Sequence, residues 1–293
     1  MVVGRRERPP WLTVPVPEDG VLDSMEALLR RAEVYTVCEG AMCPNMGECF
    51  GRGTATFMIL GKICTRNCRF CAVNKGRPES LKPGEPFKVG EAVVKLGLKH
   101  VVITSVTRDD LADGGAGHFA LTIKAVHNLS PGTSVEVLIP DFLGSVEALR
   151  LVTAARPEII GHNIETVPRL YSRVRPQADY RRSLEVLDRV KRLDPGISTK
   201  SGIMLGLGET ESEVIEVLTD LREVGCDFVT LGQYLQPTKQ HLPVQEFITP
   251  EVFEKYGRRA EEMGFSHVVS TPLARSSYHA EQAVKTSAQA PHC

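Results

Sequence analysis

Apolar, β-branched runs recur down this chain at residues 54–60, 100–106, 134–140, 158–164, 197–205, 228–235 and 267–271. Between them lie polar-faced segments of helical length, such as 117–129, 146–155, 180–193, 211–224 and 250–263. A strand followed by a helix, repeated, predicts βα units, and right-handed crossovers turn such units into a parallel sheet covered by helices. About six or seven repeats predict an α/β fold, a partial (open) TIM-type βα barrel of about six repeats with ligands gathered at the strand C-termini. The stretch before residue 54, with Pro9, Pro10, Pro15 and Pro17 and a predicted helix over 23–33, reads as an extension outside the repeat. The expected organisation is an N-terminal extension over 1–53, the barrel over 54–272 and a C-terminal extension over 273–293, with no low-complexity linker.

Composition narrows the function without naming it. The 293 residues carry 35 Lys and Arg against 36 Asp and Glu, a net charge of −1, so no excess positive charge draws the whole protein to a phosphate backbone. Nucleic acid is not an expected partner. No apolar run approaches the roughly 18 residues of a spanning helix, so no membrane partner is expected either. The opening MVVGRRERPPW lacks the apolar core of a secretory signal, which makes the cytoplasm the expected location.

Six of the 8 cysteines crowd between Cys38 and Cys71, while Cys226 and Cys293 stand alone. They form two triplets, Cys38, Cys43, Cys49 with spacing C-x4-C-x5-C and Cys64, Cys68, Cys71 with spacing C-x3-C-x2-C. Each triplet is one ligand short of the four that structural zinc takes. A disulfide framework suits short secreted chains rather than this one. Iron-sulfur clusters fit better, because thiolates are their usual ligands and three of them leave one iron free to accept another group. The second triplet follows the first predicted barrel strand directly, which puts that open iron at the strand C-termini.

With Phe70 before its last cysteine, ICTRNCRFC resembles the C-x3-C-x-aromatic-C loop of the radical S-adenosylmethionine enzymes. In that family the open iron of a 4Fe-4S cluster binds the amino and carboxylate groups of S-adenosylmethionine, and one electron releases a 5′-deoxyadenosyl radical. GIMLGLGET, with Gly206 and Gly208, stands where such enzymes hold the methionine part of the cofactor; a plain tight turn is the equal alternative. It has neither the G-x-G-x-x-G nor the G-K-[ST] spacing of a nucleotide loop.

Taken together, CEGAMCPNMGEC, ICTRNCRFCAV, VVITSVTRDDLADGGAGHF, HNIETVPRLY with VRPQADY, TKSGIMLGLGET, LGQYLQP and ARSSYHA resemble the lipoyl synthase family from about Tyr35 to Ala280. The resemblance implies two 4Fe-4S clusters, Cys64, Cys68 and Cys71 holding the one that binds S-adenosylmethionine and Cys38, Cys43 and Cys49 an auxiliary one in the extensions. It implies a serine of RSSY as fourth auxiliary ligand, assigned to Ser277 with Ser276 as the alternative. A serine oxygen is a harder, poorer partner for iron than thiolate, which would ease release of that iron. The reaction implied is insertion of two sulfurs, drawn from the auxiliary cluster, at C6 and C8 of an octanoyl group amide-linked to a carrier lysine. The partners implied are octanoylated lipoyl carrier domains, either the glycine cleavage carrier protein or 2-oxoacid dehydrogenase acyltransferase subunits, with flavodoxin or ferredoxin as electron donor.

An unactivated methylene offers no acidic proton and no electrophile, so acid-base and nucleophilic devices have no purchase on it, and no side chain is expected to be catalytic in that sense. Polar residues at the predicted strand ends are Arg108, Asp109, Asp110, Asp141, His162, Asn163, Glu165, Lys200, Glu209, Gln233 and Gln236. Arg108, Asp109, His162, Asn163 and Glu165 are expected to hold cofactor and lysine arm, with Phe70, Asn163, Glu165, Gly206 and Gly208 on the cofactor; helix caps and solvated loops are the plain alternative. The basic run Arg169, Arg173, Arg175, Arg181, Arg182 is a candidate docking face for an acidic carrier, or else a solvated helix surface. Two rivals fit less well: an RNA methylthiotransferase should carry a basic patch and a larger N-terminal domain, and a cluster carrier would leave the βα scaffold unexplained.

Overall fold

The computed structural model of the chain describes residues 8–13, 27, 29–37, 45, 56–277 and 280. Cys38, Cys43, Cys49 and Cys293 lie outside the described residues. Eight strands form one sheet in the order β1 (Tyr35–Thr36), β2 (Thr56–Ile59), β5 (His100–Ser105), β6 (Ser134–Leu138), β7 (Ile159–Gly161), β8 (Ser198–Leu205), β9 (Phe228–Gln233) and β10 (His267–Ser270). β1 joins antiparallel, and every other pairing is parallel. No pairing among the described residues joins β1 to β10, so the barrel is open, as the βα pattern predicts. The two-residue strands β3 (Ile63–Cys64) and β4 (Asn74–Lys75) pair separately and frame the second cysteine triplet. Of the expected 23–33 helix, residues 27 and 29–32 are helical.

The helices on the outer face are α1 (Glu85–Leu96), α2 (Ala116–Leu129), α3 (Val146–Thr153), α4 (Tyr171–Val174), α5 (Tyr180–Leu193), α6 (Glu211–Glu223) and α7 (Pro250–Glu262). Each has a local cause. In α5 the Asp179 carboxylate caps the Arg182 N–H, Ser183, Val186, Leu187 and Val190 bury one face at helical spacing, and Lys191 and Arg192 sit in the last turn. α6 starts with a reciprocal capping box between Thr210 and Glu213. α1 is not legible in the hydrophobic pattern, because Gly90 and its valines weaken helix propensity. Packing supplies what propensity lacks: a Cβ at Gly90 would stand 3.1 Å from the Ala125 carbonyl, so the glycine lets α1 lie against α2.

Alternation along the strands sorts the two faces of the sheet. Val101 and Ile103 of β5, Val135 and Val137 of β6, Val229 and Leu231 of β9 belong to the apolar clusters under the helices. The intervening residues, His100, Thr104, Glu136, Lys200, Gly202 and Gly232, fall on the inner face. Near the strand N-termini that face carries a buried ion pair, Lys200 Nζ to Glu136 Oε1 at 2.9 Å, with His100 Nε2 at 3.6 Å from the same carboxylate. Lys200, expected at a strand end beside the ligand, is therefore at the opposite end of the barrel, since β8 begins at Ser198 and runs to Leu205.

Candidate functional site

The chain leaves β2 through Leu60 and Gly61, both with left-handed φ (70° and 95°). That turn is fixed from the side: the Leu60 N–H donates to Glu85 Oε2 at 2.8 Å, and the same oxygen lies 2.7 Å from His118 Nε2. The cysteine loop begins three residues later, so a buried carboxylate on α1 sets its point of departure.

Within the loop, Cys64, Cys68 and Cys71 are free, half-buried thiols. Burial pushes the Cys68 thiol up, against the pull of the nearby Arg175 charge, and pushes Cys71 up to about 11. Such thiols are poor nucleophiles in the free chain, and a coordinated metal would deprotonate them outright. The backbone N–H groups of Thr107 and Arg66 donate to Cys64 Sγ at 3.3 and 3.5 Å, the kind of N–H···S contact that tunes cluster sulfur. Among the described residues no group of three His, Cys, Asp or Glu converges on a single metal ion. A four-iron cluster asks for no such convergence, since each thiolate takes its own iron, and this donor set fits it.

Arg66, between the first two cysteines, anchors the loop. Its Nε and Nη2 donate to the two oxygens of Asp109 at 2.7 and 2.9 Å, and Nη2 also donates to Asp141 Oδ1 at 2.6 Å. Arg182 of α5 donates from Nε to the other Asp141 oxygen at 2.8 Å. Burial alone would raise the Asp141 carboxyl; the hydrogen bond and charge of Arg66 overcome it and hold the group below the ordinary carboxylate range. Asp141 leads into Phe142, Leu143 and Gly144, three successive residues with φ of 44°, 51° and 81°, a strained turn that its carboxylate helps hold by accepting the Leu143 N–H. A cavity of about 320 Å³ opens beside that turn and Asp109, with no cysteine in its lining. On the loop's other side, the Arg69 N–H donates to the Val174 carbonyl at 2.9 Å, His241 Nε2 lies 3.0 Å from the Cys71 carbonyl, and Phe70 packs against the apolar cluster under β8 and β9.

At the end of β7, His162 Nδ1 donates to the Ile139 carbonyl at 2.9 Å, which leaves Nε2 a bare acceptor with no partner among the described residues. Burial first, then the Arg175 charge, lowers its pKa to about 4, so the ring is neutral at physiological pH. Asn163 Nδ2 donates to Ser276 Oγ at 2.7 Å and to Glu165 Oε1 at 3.2 Å. Glu165 has a left-handed φ of 69°, and burial raises its carboxyl while Arg175 and Asn163 pull it down. Arg175 is buried among the Asn163, Ile164 and Tyr171 oxygens.

The structure thus brings Cys64, Cys68, Cys71, Phe70, Asn163, Glu165 and Ser276 to the C-terminal mouth of the sheet. Other expected residues are occupied: Arg108 pairs with Asp110 at 2.8 Å and donates to the Leu60 carbonyl at 3.2 Å. Gln233 bonds Leu205, Tyr234, Glu246 and Ile248, and Gln236 bonds His241. Glu209 accepts the N–H groups of Gly206 and Leu207. Gly206 is required by packing, since a Cβ there would meet Gln233 Nε2 at 2.2 Å and the Glu246 carbonyl at 2.4 Å. The basic run is not one face: Arg175 is inside, Arg182 is bound to Asp141 and Arg169 to Glu213, leaving Arg173 and Arg181 as its exposed members with no ion pair among the described residues. Sequence reading missed Arg66 and Arg175 as parts of the site; the signal for Arg66 was its place inside the cysteine motif.

The sequence profile of the Radical SAM superfamily matches residues 58–221. The lipoyl synthase of Caldanaerobacter subterraneus subsp. tengcongensis is 61% identical over 274 residues, 94% of this chain and 96% of that protein. That of Rubrobacter xylanophilus is 56% identical over 279 residues, 95% of this chain and 87% of that one. Among solved structures, HydG, a maturase of the FeFe hydrogenase, superposes with TM-score 0.54 at 16% identity, over 91% of this chain and 68% of its own. Methylornithine synthase gives 0.53 at 13% identity over 95% and 91%. At such identities the likeness is one of fold.

Proposed function

The chain belongs to the lipoyl synthase family of the radical S-adenosylmethionine enzymes, and on that footing we propose which of its residues carry the reaction. The observation that carries the reading is identity of 61% across nearly the full length of both chains. The activity is radical insertion of two sulfurs at C6 and C8 of a carrier-bound octanoyl-lysine. When bound, the 4Fe-4S clusters and S-adenosylmethionine supply the electron, the hydrogen-abstracting radical and the sulfur.

The protein's part is to hold, orient and exclude water. Cys64, Cys68 and Cys71 would hold the cluster that binds S-adenosylmethionine, with Arg66 fixing their loop and Arg175 offsetting negative charge beside Cys68. Phe70, Asn163 and Glu165 would line the cofactor, and Gly206 and Gly208 would let it approach the end of β8. Cys38, Cys43, Cys49 and Ser277 would hold the auxiliary cluster. Supporting this last assignment, Asn45, between two of those cysteines, is buried and donates from Nδ2 to the Leu273 carbonyl at 2.7 Å, four residues before Ser277. The substrates are lipoyl carrier proteins as a class. The glycine cleavage carrier and the 2-oxoacid dehydrogenase acyltransferases are the proposed members, flavodoxin or ferredoxin the proposed donors and the cytoplasm the proposed location. No described helix is long and apolar enough to cross a membrane.

The two triplets should separate on mutation. Cys68→Ala is expected to abolish 5′-deoxyadenosine formation. Cys43→Ala is expected to leave 5′-deoxyadenosine formation in place and abolish sulfur insertion, read by product mass. A Cys43→Ala enzyme that still delivers two sulfurs would remove the auxiliary assignment.

A further inference from the structure

The segment that follows β9 crosses the mouth from the cysteine loop to the end of β8. At its start the Leu242 N–H donates to the Arg69 carbonyl at 3.2 Å, and His241 Nε2 lies 3.0 Å from the Cys71 carbonyl. The hydroxyl of buried Tyr234 donates to the Leu242 carbonyl at 2.8 Å and pins that start to the body. Three residues on, the Gln245 N–H donates to the Gly206 carbonyl at 2.9 Å. The buried amide of Gln233 then takes the segment from the side: its Nε2 donates to the Glu246 carbonyl at 3.0 Å, and its Oε1 accepts the Ile248 N–H at 2.8 Å. A Cβ at Gly206 would clash with the Glu246 carbonyl, so the segment lies directly on the glycine turn. Residues 241–248 are thus a crossbar that ties together two walls, the loop of Cys64, Cys68 and Cys71 and the turn of Gly206 and Gly208.

The far end of this crossbar is fastened from the beginning of the chain. The Trp11 indole N–H donates to the Ile248 carbonyl at 3.2 Å, across 237 positions of sequence. Trp11 sits in a single 3-10 turn, Pro10–Leu12, closed by the Leu12 N–H on the Pro9 carbonyl at 3.0 Å. Pro9 and Pro10 fix their own φ, so this stretch has less freedom to lose when it docks. Of residues 8–13 only Leu12 is buried, and it is buried completely. One apolar anchor and one directed hydrogen bond on an otherwise exposed stretch are the parts of a fastening.

We propose that Trp11 and Leu12 clasp the crossbar, and that the clasp sets the spacing between the cysteine loop and the Gly206 turn and with it the affinity for S-adenosylmethionine. The second half rests on the reading above that puts this cofactor between those two walls. Trp11 is a positioning residue, acting on the Gly206 turn through Ile248 and the Gln233 amide. A ligand that touches both walls holds the crossbar in place, and a closed clasp presents both walls to the ligand. The two effects are one coupling and must be equal in size.

Two measurements on the full chain test the halves separately. Trp11→Phe keeps an aromatic ring and removes the donor. In the cluster-free protein it should speed hydrogen exchange at the Gln245 and Ile248 amides by about two- to tenfold, the worth of one hydrogen bond, and leave exchange in β5 and β6 as it is. Leu12→Ala should act on the same amides. Unchanged exchange there in either variant would overturn the clasp. In protein reconstituted with iron and sulfide, S-adenosylmethionine should slow exchange at these amides in wild type. Equilibrium dialysis should show it binding about two- to tenfold more weakly to Trp11→Phe at equal iron content. Equal affinity in a variant whose crossbar exchanges faster would overturn the link to the cofactor. Cofactor that binds wild type without altering exchange at residues 206–209 would instead overturn the reading that places it there, and exchange in the cluster-free chain would still decide the clasp.

Discussion

Arg66→Ala is expected to destabilise the cluster-free chain by about 3–5 kcal/mol, the cost of removing one partner from a buried ion pair. Arg66 is 4% exposed and Asp141 fully buried, so the loss leaves a carboxylate out of water with Arg182 and the Leu143 N–H as its remaining donors. The same change frees the segment between Cys64 and Cys68, so cluster uptake, read by iron content, should fall with stability. Arg66→Lys keeps the charge but cannot span Asp109 and Asp141 with a fork, and an intermediate loss is expected.

The acid response carries the sign of this network. Asp141 has a folded pKa held below its unfolded one, so its contribution is complete above the ordinary carboxylate range and is lost as pH falls through the depressed folded value. Unfolding measured from neutral pH downward should show wild-type stability declining only below about pH 4 on this account, near the ordinary Asp pKa. In Arg66→Ala the decline should be shallower, since less of the depression remains to be lost.

A comparable cost, about 3–5 kcal/mol, is expected for Glu136→Ala, which strands the Lys200 ammonium on the inner face near the bottom of the barrel. Lys200 is 4% exposed, and its Nζ lies 2.9 and 3.2 Å from the two Glu136 oxygens. Desolvation would raise the Glu136 carboxyl, but Lys200 and His100 hold it down, so this pair too is lost on the acid side. The paired replacement Glu136→Leu with Lys200→Met should recover most of the loss, because apolar residues of similar volume need no compensating charge. Urea unfolding of the single and double variants distinguishes this from a simple cavity, for which the double variant would not recover.

Six of the seven parallel strands were legible because they are buried on both sides over most of their length, which writes a dense apolar run into the sequence; β10, half-buried throughout, carries the shortest run. α5 and α6 were legible through one-sided periodicity and capping residues. What failed to show was set by tertiary contact. α1 exists because Gly90 fits against Ala125, and Arg175 looked like one more member of a basic run until the end of α4 at Val174 turned it inward. Lys200 is no strand-end residue, and the predicted run over 197–205, which β8 matches, already sets it in the first half of the strand. The spacing of the cysteines pointed to iron-sulfur ligation. The long-range contacts around the proposed site, Arg66 with Asp141, Asn45 with Leu273 and Asn163 with Ser276, join residues 75, 228 and 113 positions apart, and no local pattern records such pairs.

This chain inserts sulfur into an octanoyl chain, and the mass of one peptide tests it. The protein, reconstituted anaerobically with iron and sulfide, would be given S-adenosylmethionine, a low-potential reductant and an octanoyl-lysine carrier peptide. The expected product carries two added sulfur atoms, with one 5′-deoxyadenosine released for each carbon-hydrogen bond broken. A peptide of unchanged mass alongside freely formed 5′-deoxyadenosine would contradict the claim, leaving a radical enzyme that acts on another substrate.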